Sequence, residues 1–262
     1  MAVVGFIGTG NMGSALARAA AKSAETTRLL LSNRTPEKAQ RLARELGAEA
    51  VDNRRVAAEA EVLFLAVKPQ YLEGMLSSIR DVLRARTDRF LVVSMIAGWE
   101  LAALSKVLDG APVVRIMPNL PVSAGAGITM LAASDAVTAE EKALVKALLA
   151  ASGLVEELDE HLADAATGVT GCGPAFAAMF VDALADGAVT CGLPRKTALR
   201  YAAQMLKGTA ELLLESGEHP ASLKDRVCSP AGSTIEGVRR LEQGAFRSAV
   251  CEAVIATFNK EF

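Results

Sequence analysis

Three hydroxyls crowd into six residues late in the chain: Ser229, Ser233 and Thr234, within Cys228-Ser-Pro-Ala-Gly-Ser-Thr-Ile-Glu236. The loop runs directly into a helical pattern of Ile235, Val238 and Leu241. The first turn of a helix carries backbone N–H groups without intrahelical partners, and the positive end of the helix dipole points the same way. With hydroxyls around it, such a turn attracts an anion. A plainer reading is an N-cap, with Ser233 or Thr234 capping and Glu236 in the first turn. The loop by itself leaves both readings open.

A second chemical signal lies at the other end. Val3-Val-Gly-Phe-Ile-Gly8-Thr-Gly10-Asn-Met-Gly13 is a strand running into G-x-G-x-x-G, followed by a helical pattern of Leu16, Ala17 and Ala20. Gly8 permits the tight turn, Gly10 lets backbone approach a pyrophosphate, and Gly13 lets helix and strand pack closely. At the end of the next strand, an Asp or Glu would hold the ribose 2′-hydroxyl of NAD. This chain has Ser32-Asn33-Arg34-Thr35 there instead. A hydroxyl, an amide and a forked guanidinium suit a 2′-phosphate, so NADPH is expected, with NADH weaker. The expected cofactor contacts are Ile7, Gly8, Gly10, Asn11, Met12, Gly13, Ser32, Asn33, Arg34, Asn53, Val67, Lys68, Pro69 and Ala97. Lys68 is open to three readings: catalytic acid, phosphate ligand, or a strand-end lysine with a solvated tip.

The elements that must position these groups fall into two halves. Through residue 159, strand-sized apolar runs (Val3–Ile7, Leu29–Leu31, Val62–Val67, Phe90–Ser94, Val113–Met117, Ile128–Leu131) alternate with helical patterns. Those patterns are Met12–Lys22, Pro36–Leu46, Leu72–Leu83, Glu100–Leu108 and Ala139–Ala150. The alternation predicts an α/β fold, a Rossmann-type doubly wound and mostly parallel sheet, over residues 1–159. From 160 to 262 strand signals vanish, and Ala/Leu-rich stretches predict an all-helical domain: Leu162–Cys191, Lys196–Glu215, Ala221–Val227, Thr234–Glu242 and Phe246–Phe258. Several of these are apolar on more than one face, as in Tyr201-Ala-Ala-Gln-Met-Leu206, so a homo-oligomer interface is expected to cover them.

Composition narrows the classes. A net charge of −2 gives no basic footprint, so no nucleic-acid partner is expected. No apolar run reaches the roughly 18 residues needed to span a bilayer, so no membrane role is expected. The N-terminus enters a strand with no basic residue before Arg18, unlike a secretory leader. Cys172, Cys191, Cys228 and Cys251 are widely spaced beside two histidines, which suits neither a disulfide framework nor a metal site. A cytoplasmic location without metal follows as the expectation.

Several families share this kind of start followed by a helical domain. The β-hydroxyacid dehydrogenases continue with G-x-x-G-x-G-x-x-x-K-x-x-x-N. Gly168-Val-Thr-Gly171-Cys-Gly173 matches the glycines, but Ala177 and Val181 stand at the lysine and asparagine positions. Alcohol oxidation then lacks its proton acceptor. Along essentially its whole length, the chain instead resembles the pyrroline-5-carboxylate reductases. The resemblance rests on Ala66-Val-Lys-Pro69, Met117-Pro-Asn119, Gly171-Cys-Gly-Pro-Ala-Phe176, Asp182-Ala-Leu-Ala-Asp186, Gly192-Leu-Pro194, Glu218-His-Pro220, Leu223-Lys-Asp225 and the opening loop. That loop is similar to the family's Ser-Pro-Gly-Gly-x-Thr signature. Departures are Ala231 for glycine, Thr170 and Cys172 where serines are usual, Phe176 for tyrosine, and Leu120 for threonine.

The resemblance implies NADPH-dependent reduction of the cyclic imine L-1-pyrroline-5-carboxylate to L-proline, the last step of proline biosynthesis. It implies that Ser229, Gly232, Ser233 and Thr234 hold the substrate carboxylate. The Thr234 hydroxyl, the catalytic candidate, would bond the ring nitrogen. It further implies an interlocked helical homodimer or larger ring, in which the loop faces a neighbour's nicotinamide. His219, before Pro220, reads as a helix-start residue rather than an acid. Two alternatives stay open: an NADP-dependent reductase of another cyclic imine or small hydroxy acid, and a non-catalytic NADP(H)-binding protein.

Overall fold

The computed structural model describes residues 1–259. It forms two compact units, Met1–Thr167 and a second from Gly168 onward. The first contains β1 (Ala2–Ile7), α1 (Asn11–Lys22), β2 (Thr26–Ser32), α2 (Pro36–Leu46), β3 (Glu49–Ala50), α3 (Asn53–Glu59) and β4 (Val62–Leu65). A 3-10 turn, Pro69–Tyr71, leads into α4 (Leu72–Ala85) and β5 (Leu91–Ser94). The unit continues with α5 (Leu101–Val107), β6 (Val113–Pro118), β7 (Gly127–Ala133), α6 (Ala139–Leu149) and β8 (Gly153–Glu157).

The eight strands form one sheet in the order β3-β2-β1-β4-β5-β6-β7-β8. Every neighbouring pair is parallel except β6–β7. Strand order reverses beside β1, and ligands of doubly wound sheets bind at such a switch point, outside the carboxyl ends of the strands. Side chains alternate across the sheet. Val4, Phe6, Phe64 and Val93 enter one core with Leu16, Ala17 and Ala20 of α1. Ile7, Leu30, Leu63 and Leu65 enter the other with Val56, Ala57, Leu72 and Ile79. Phe6 and Phe64, paired in register between β1 and β4, stack with centroids 4.3 Å apart. Gly5 has no room for a side chain, because a Cβ would lie 2.6 Å from Val56 and 2.7 Å from Ala60. Close α3–β1 packing therefore depends on that glycine.

The doubly wound, mostly parallel sheet predicted from the alternation is present. Three elements lie outside the predicted set: β3, α3 and β8. Val62–Val67 ends as a strand at Leu65, and Val67 belongs to the turn beyond it.

The second unit is helical. The stretch expected as one helix, Leu162–Cys191, is two: α7 (Ala163–Thr170) and α8 (Gly173–Thr190). Gly171 and Cys172 interrupt it, and Pro174 sits at the start of α8, where its missing N–H costs nothing. Then come α9 (Arg195–Ser216), α10 (Pro220–Val227), α11 (Ser233–Gln243) and α12 (Phe246–Phe258). Gly217 closes α9 in the left-handed conformation at φ 62°. His219 caps α10, its Nδ1 accepting the Ala221 N–H at 3.2 Å, as expected of a helix-start residue. Much apolar surface in this unit is exposed in the single chain, including Met179, Tyr201, Met205 and Leu214. The stretch Glu160–Thr190 is long and apolar enough to cross a membrane by length and composition, although no unbroken apolar run within it has that length.

Candidate functional site

The nucleotide cleft is built by the ends of β1, β2 and β4. It has a volume of about 530 Å³ and is lined by Ile7, Gly8, Gly10, Asn33, Arg34, Asn53, Ala66, Val67 and Lys68. Gly8 adopts φ +107°, and a Cβ there would meet the Ala66 carbonyl at 2.4 Å. A Cβ on Gly13 would meet the Gly8 carbonyl at 2.2 Å. Gly10 differs: a Cβ there would meet nothing within 4 Å. Two glycines thus allow the chain to fold on itself, and the third leaves space for something outside the chain. Gly10 also precedes α1 without any side-chain cap, so the first-turn N–H groups of Asn11, Met12 and Gly13 have no capping side chain. The buried Thr9 hydroxyl has no hydrogen-bond partner. An uncapped helix start of this kind attracts an anion.

Near the β2 end Ser32 is tied to Asn53, while Asn33 is tied to Thr9 and Thr35. Ser32 Oγ donates to Asn53 Oδ1 at 2.5 Å, and Asn33 Oδ1 accepts the Thr9 N–H at 3.2 Å. Asn33 Nδ2 donates to the Thr35 carbonyl at 3.1 Å, so this amide fixes both the glycine turn and the start of α2. Arg34 is exposed and lies over the ring of Tyr71, 4.4 Å from its centroid. Hydrogen bonding to Arg34 and the charge of its guanidinium hold the Tyr71 phenol below its usual range, with Lys68 adding to the effect.

Of the expected cofactor contacts, Ile7, Gly8, Gly10, Asn33, Arg34, Asn53, Val67 and Lys68 share this cleft. Asn11, Met12 and Gly13 open α1, while Ser32 lines an adjoining recess with Arg34 and Asn53. Pro69 starts the 3-10 turn, and Ala97 lies exposed beyond β5; neither is part of the cleft lining. Thr35, Lys38, Gln70, Tyr71, Gly74, Met75 and Ser78 also line it and were not foreseen. Lys38, in the first turn of α2, carried a legible signal as a second cation four residues after Arg34.

The hydroxyl loop precedes α11. Its N-cap is Gly232, with φ −76° and ψ 167°, rather than Ser233 or Thr234, and no side chain caps the helix. Glu236 does sit in the first turn, as expected. The Gly232 N–H donates to the Ser229 carbonyl at 3.0 Å, closing a turn that carries Pro230 and Ala231 across its top. Gly232 lies close against Ser229: a Cβ there would meet Ser229 Oγ at 2.3 Å, so a larger residue would have to turn that hydroxyl aside. Ala231 holds φ 58°, a left-handed conformation that disfavours a Cβ, at the position where the resembled family has glycine. The hydroxyls of Ser229, Ser233 and Thr234 are exposed, and none bonds to another described residue. Backbone donors and hydroxyls therefore point outward from one helix end. Among the described residues no cluster of three or more His, Cys, Asp or Glu is placed to hold a metal.

A reversal of strand order beside a glycine turn, with an open cleft and an uncapped helix end, defines a dinucleotide-binding protein of the doubly wound class. Residues 3–98 match the profile described as NADP oxidoreductase, coenzyme F420-dependent, and residues 160–261 match that for pyrroline-5-carboxylate reductase dimerisation. The chain belongs to the pyrroline-5-carboxylate reductase family. The Synechocystis enzyme of that name is 47% identical over 209 residues, covering 80% of this chain and 77% of its own. The Escherichia coli enzyme is 39% identical over 261 residues, covering 98% and 96%. The reductase structure from Coxiella burnetii superposes with TM-score 0.91 at 30% identity, covering 98% of this chain and 96% of that one. The Plasmodium falciparum reductase with NADP bound gives TM-score 0.84 at 28% identity, covering 98% and 95%.

Proposed function

We propose that this protein reduces L-1-pyrroline-5-carboxylate to L-proline with NADPH, and that the Ser229–Thr234 loop is its substrate cradle. The observation that carries the reading is the uncapped end of α11 with three unpartnered hydroxyls around it. The names of the relatives give the substrate class, and the NADP in the Plasmodium structure supports the cofactor.

The substrate is a ring imine bearing a carboxylate, and NADPH, when bound, supplies the hydride for the C=N carbon. The protein's part is to hold and polarise. The first-turn N–H groups of α11 and the hydroxyls of Ser229 and Ser233 bind the carboxylate. Thr234 Oγ1 hydrogen-bonds the ring nitrogen and orients its proton. A protonated imine is already electrophilic, so this chemistry asks for no strong acid from the chain. On the cofactor side, the glycine turn and α1 hold the pyrophosphate, while Ser32, Asn33 and Arg34 hold the 2′-phosphate; Asn53, Val67, Lys68, Pro69 and Ala97 complete the contact set. NADH fits the same cleft without the phosphate contacts. The assembly is a homodimer or larger homo-oligomer of the cytoplasm, supported by the dimerisation match. It also accounts for the exposed apolar stretch Glu160–Thr190, because Asp182 and Asp186 within α8 suit a protein interface better than lipid.

Spectrophotometric NADPH oxidation with pyrroline-5-carboxylate tests the activity. Thr234→Ala lowers kcat/KM for the imine about 10- to 100-fold, the scale of one hydrogen bond to a charged group, and leaves NADPH affinity unchanged. Wild-type kinetics in that variant would remove Thr234 from the mechanism.

A further inference from the structure

We infer that Tyr71 is a positioning residue for cofactor choice: its ring holds the Arg34 guanidinium in the orientation that receives the 2′-phosphate. The inference rests on the assignment of Arg34 to that phosphate.

The two residues come from opposite lips of the cleft. Arg34 follows β2, and Tyr71 ends the 3-10 turn after β4. The guanidinium carbon sits 4.4 Å from the ring centroid, within the range of a cation–π contact. What matters is which part of the guanidinium is occupied. Arg28, Arg54 and Arg84 in the same unit turn their in-plane N–H groups onto carboxylates at 2.7–3.1 Å. Arg34 has no carboxylate partner among the described residues and spends its flat face on Tyr71 instead. Stacking fixes the plane of the group, and beyond the donor shared with the Tyr71 phenol the other in-plane N–H groups remain for an oxyanion. A free arginine side chain would lose rotamer freedom on meeting a phosphate. One already laid on an aromatic ring has lost part of it beforehand, and that pre-organisation strengthens binding. Pre-organisation of this kind acts on ligands carrying the 2′-phosphate and is silent toward those without it. The depressed phenol of Tyr71 agrees with close approach of the cation.

The test uses the apo protein, with 2′,5′-ADP and 5′-AMP as probes titrated calorimetrically. The two differ in the 2′-phosphate alone. Arg34→Ala is expected to abolish most of the preference for 2′,5′-ADP. Tyr71→Ala is expected to lower it about two- to fivefold, the worth of an exposed cation–π contact, with 5′-AMP affinity unchanged. Tyr71→Phe, which keeps the ring, retains the wild-type preference. Arg34→Ala combined with Tyr71→Ala loses no more than Arg34→Ala alone. If Tyr71→Ala weakens both probes equally, the ring stacks on adenine and the positioning role is wrong. If Tyr71→Ala leaves the preference intact while Arg34→Ala removes it, the inference fails and the Arg34 assignment stands. If Arg34→Ala leaves the preference intact, both fall.

Discussion

The two units of this chain satisfy their apolar residues in opposite ways. In the first, both faces of the sheet are covered by the unit's own helices, and Phe6, Phe64, Leu16, Leu63 and Ile79 have essentially no exposure. In the helical unit, the buried hydrophobics among the described residues of α8 to α12 are Ala185, Ala198, Ala202 and Leu223. Met179 and Leu214 are 72% and 81% exposed. Burial is the main source of stability, at roughly 25 cal/mol per Å² of apolar surface. The first unit buries its apolar side chains within itself, whereas the second leaves much of its apolar surface exposed in the single chain, in keeping with its match to a dimerisation profile.

The sharpest way to break that contrast is a charge on the uncovered face. Met179→Arg places an unpaired cation where a partner is expected, and raises the dimer dissociation constant more than about 100-fold if it is buried there. Sedimentation measures this directly; an unchanged assembly would mean that Met179 stays in water. A smaller effect tests the closed side of the comparison. Gly13→Ala drives a methyl into the Gly8 carbonyl. Overpacking of this kind costs about 1–3 kcal/mol and lowers the melting temperature by about 2–10 °C, with NADPH affinity reduced alongside. A variant with native melting and binding would show that the α1–β1 junction is looser than its geometry.

The smallest effect concerns the surface of the closed unit. Glu141 is held below the usual carboxylate range first by its hydrogen bonds to Arg89, at 2.6 and 2.8 Å, and then by the Thr138 N–H of the α6 capping box. Its ionised form is favoured in the folded state, so the stabilisation is complete above the unfolded value of about 4.3 and fades as pH falls through the lower folded value. Arg89 is more than half exposed, which limits the pair to about 1 kcal/mol. Glu141→Gln should therefore melt below wild type at pH 7, with the gap closing below about pH 4. A gap that persisted in acid would assign the loss to packing.

How much of this was legible in the sequence depended on whether a signal was local. Pro36 and Gly47 bracket α2, and Gly244 precedes α12, so both ends of both helices agree with the pattern. β3 is two residues long, and β8 offers Leu154 and Val155 before two glutamates, too little for an apolar run to register. The break between α7 and α8 was marked by Gly171 and Pro174, yet the Ala-rich flanks read as continuous helix. In the candidate site, glycine spacing and the cationic end of β2 were readable because each function sits on adjacent residues. Tyr71 was not, since nothing in Pro69-Gln-Tyr71 signals chemistry until folding brings it to Arg34. The N-cap at Gly232 was missed for another reason: a hydroxyl that suits capping equally suits a ligand.

The borders of the sheet carry a last consequence. β3 and β8 end the strand order, and an unpaired strand is a template on which other chains can add. At one border the chain exposes two residues of strand, including Glu49 held by Arg28 and Arg55. At the other, Lys142 and Lys146 both close on Glu157 at 2.7 and 2.8 Å. A chain approaching either border meets a brief strand and fixed charge instead of a long apolar ribbon. Protection against fibrous aggregation is therefore built into the same sheet that carries the cofactor cleft.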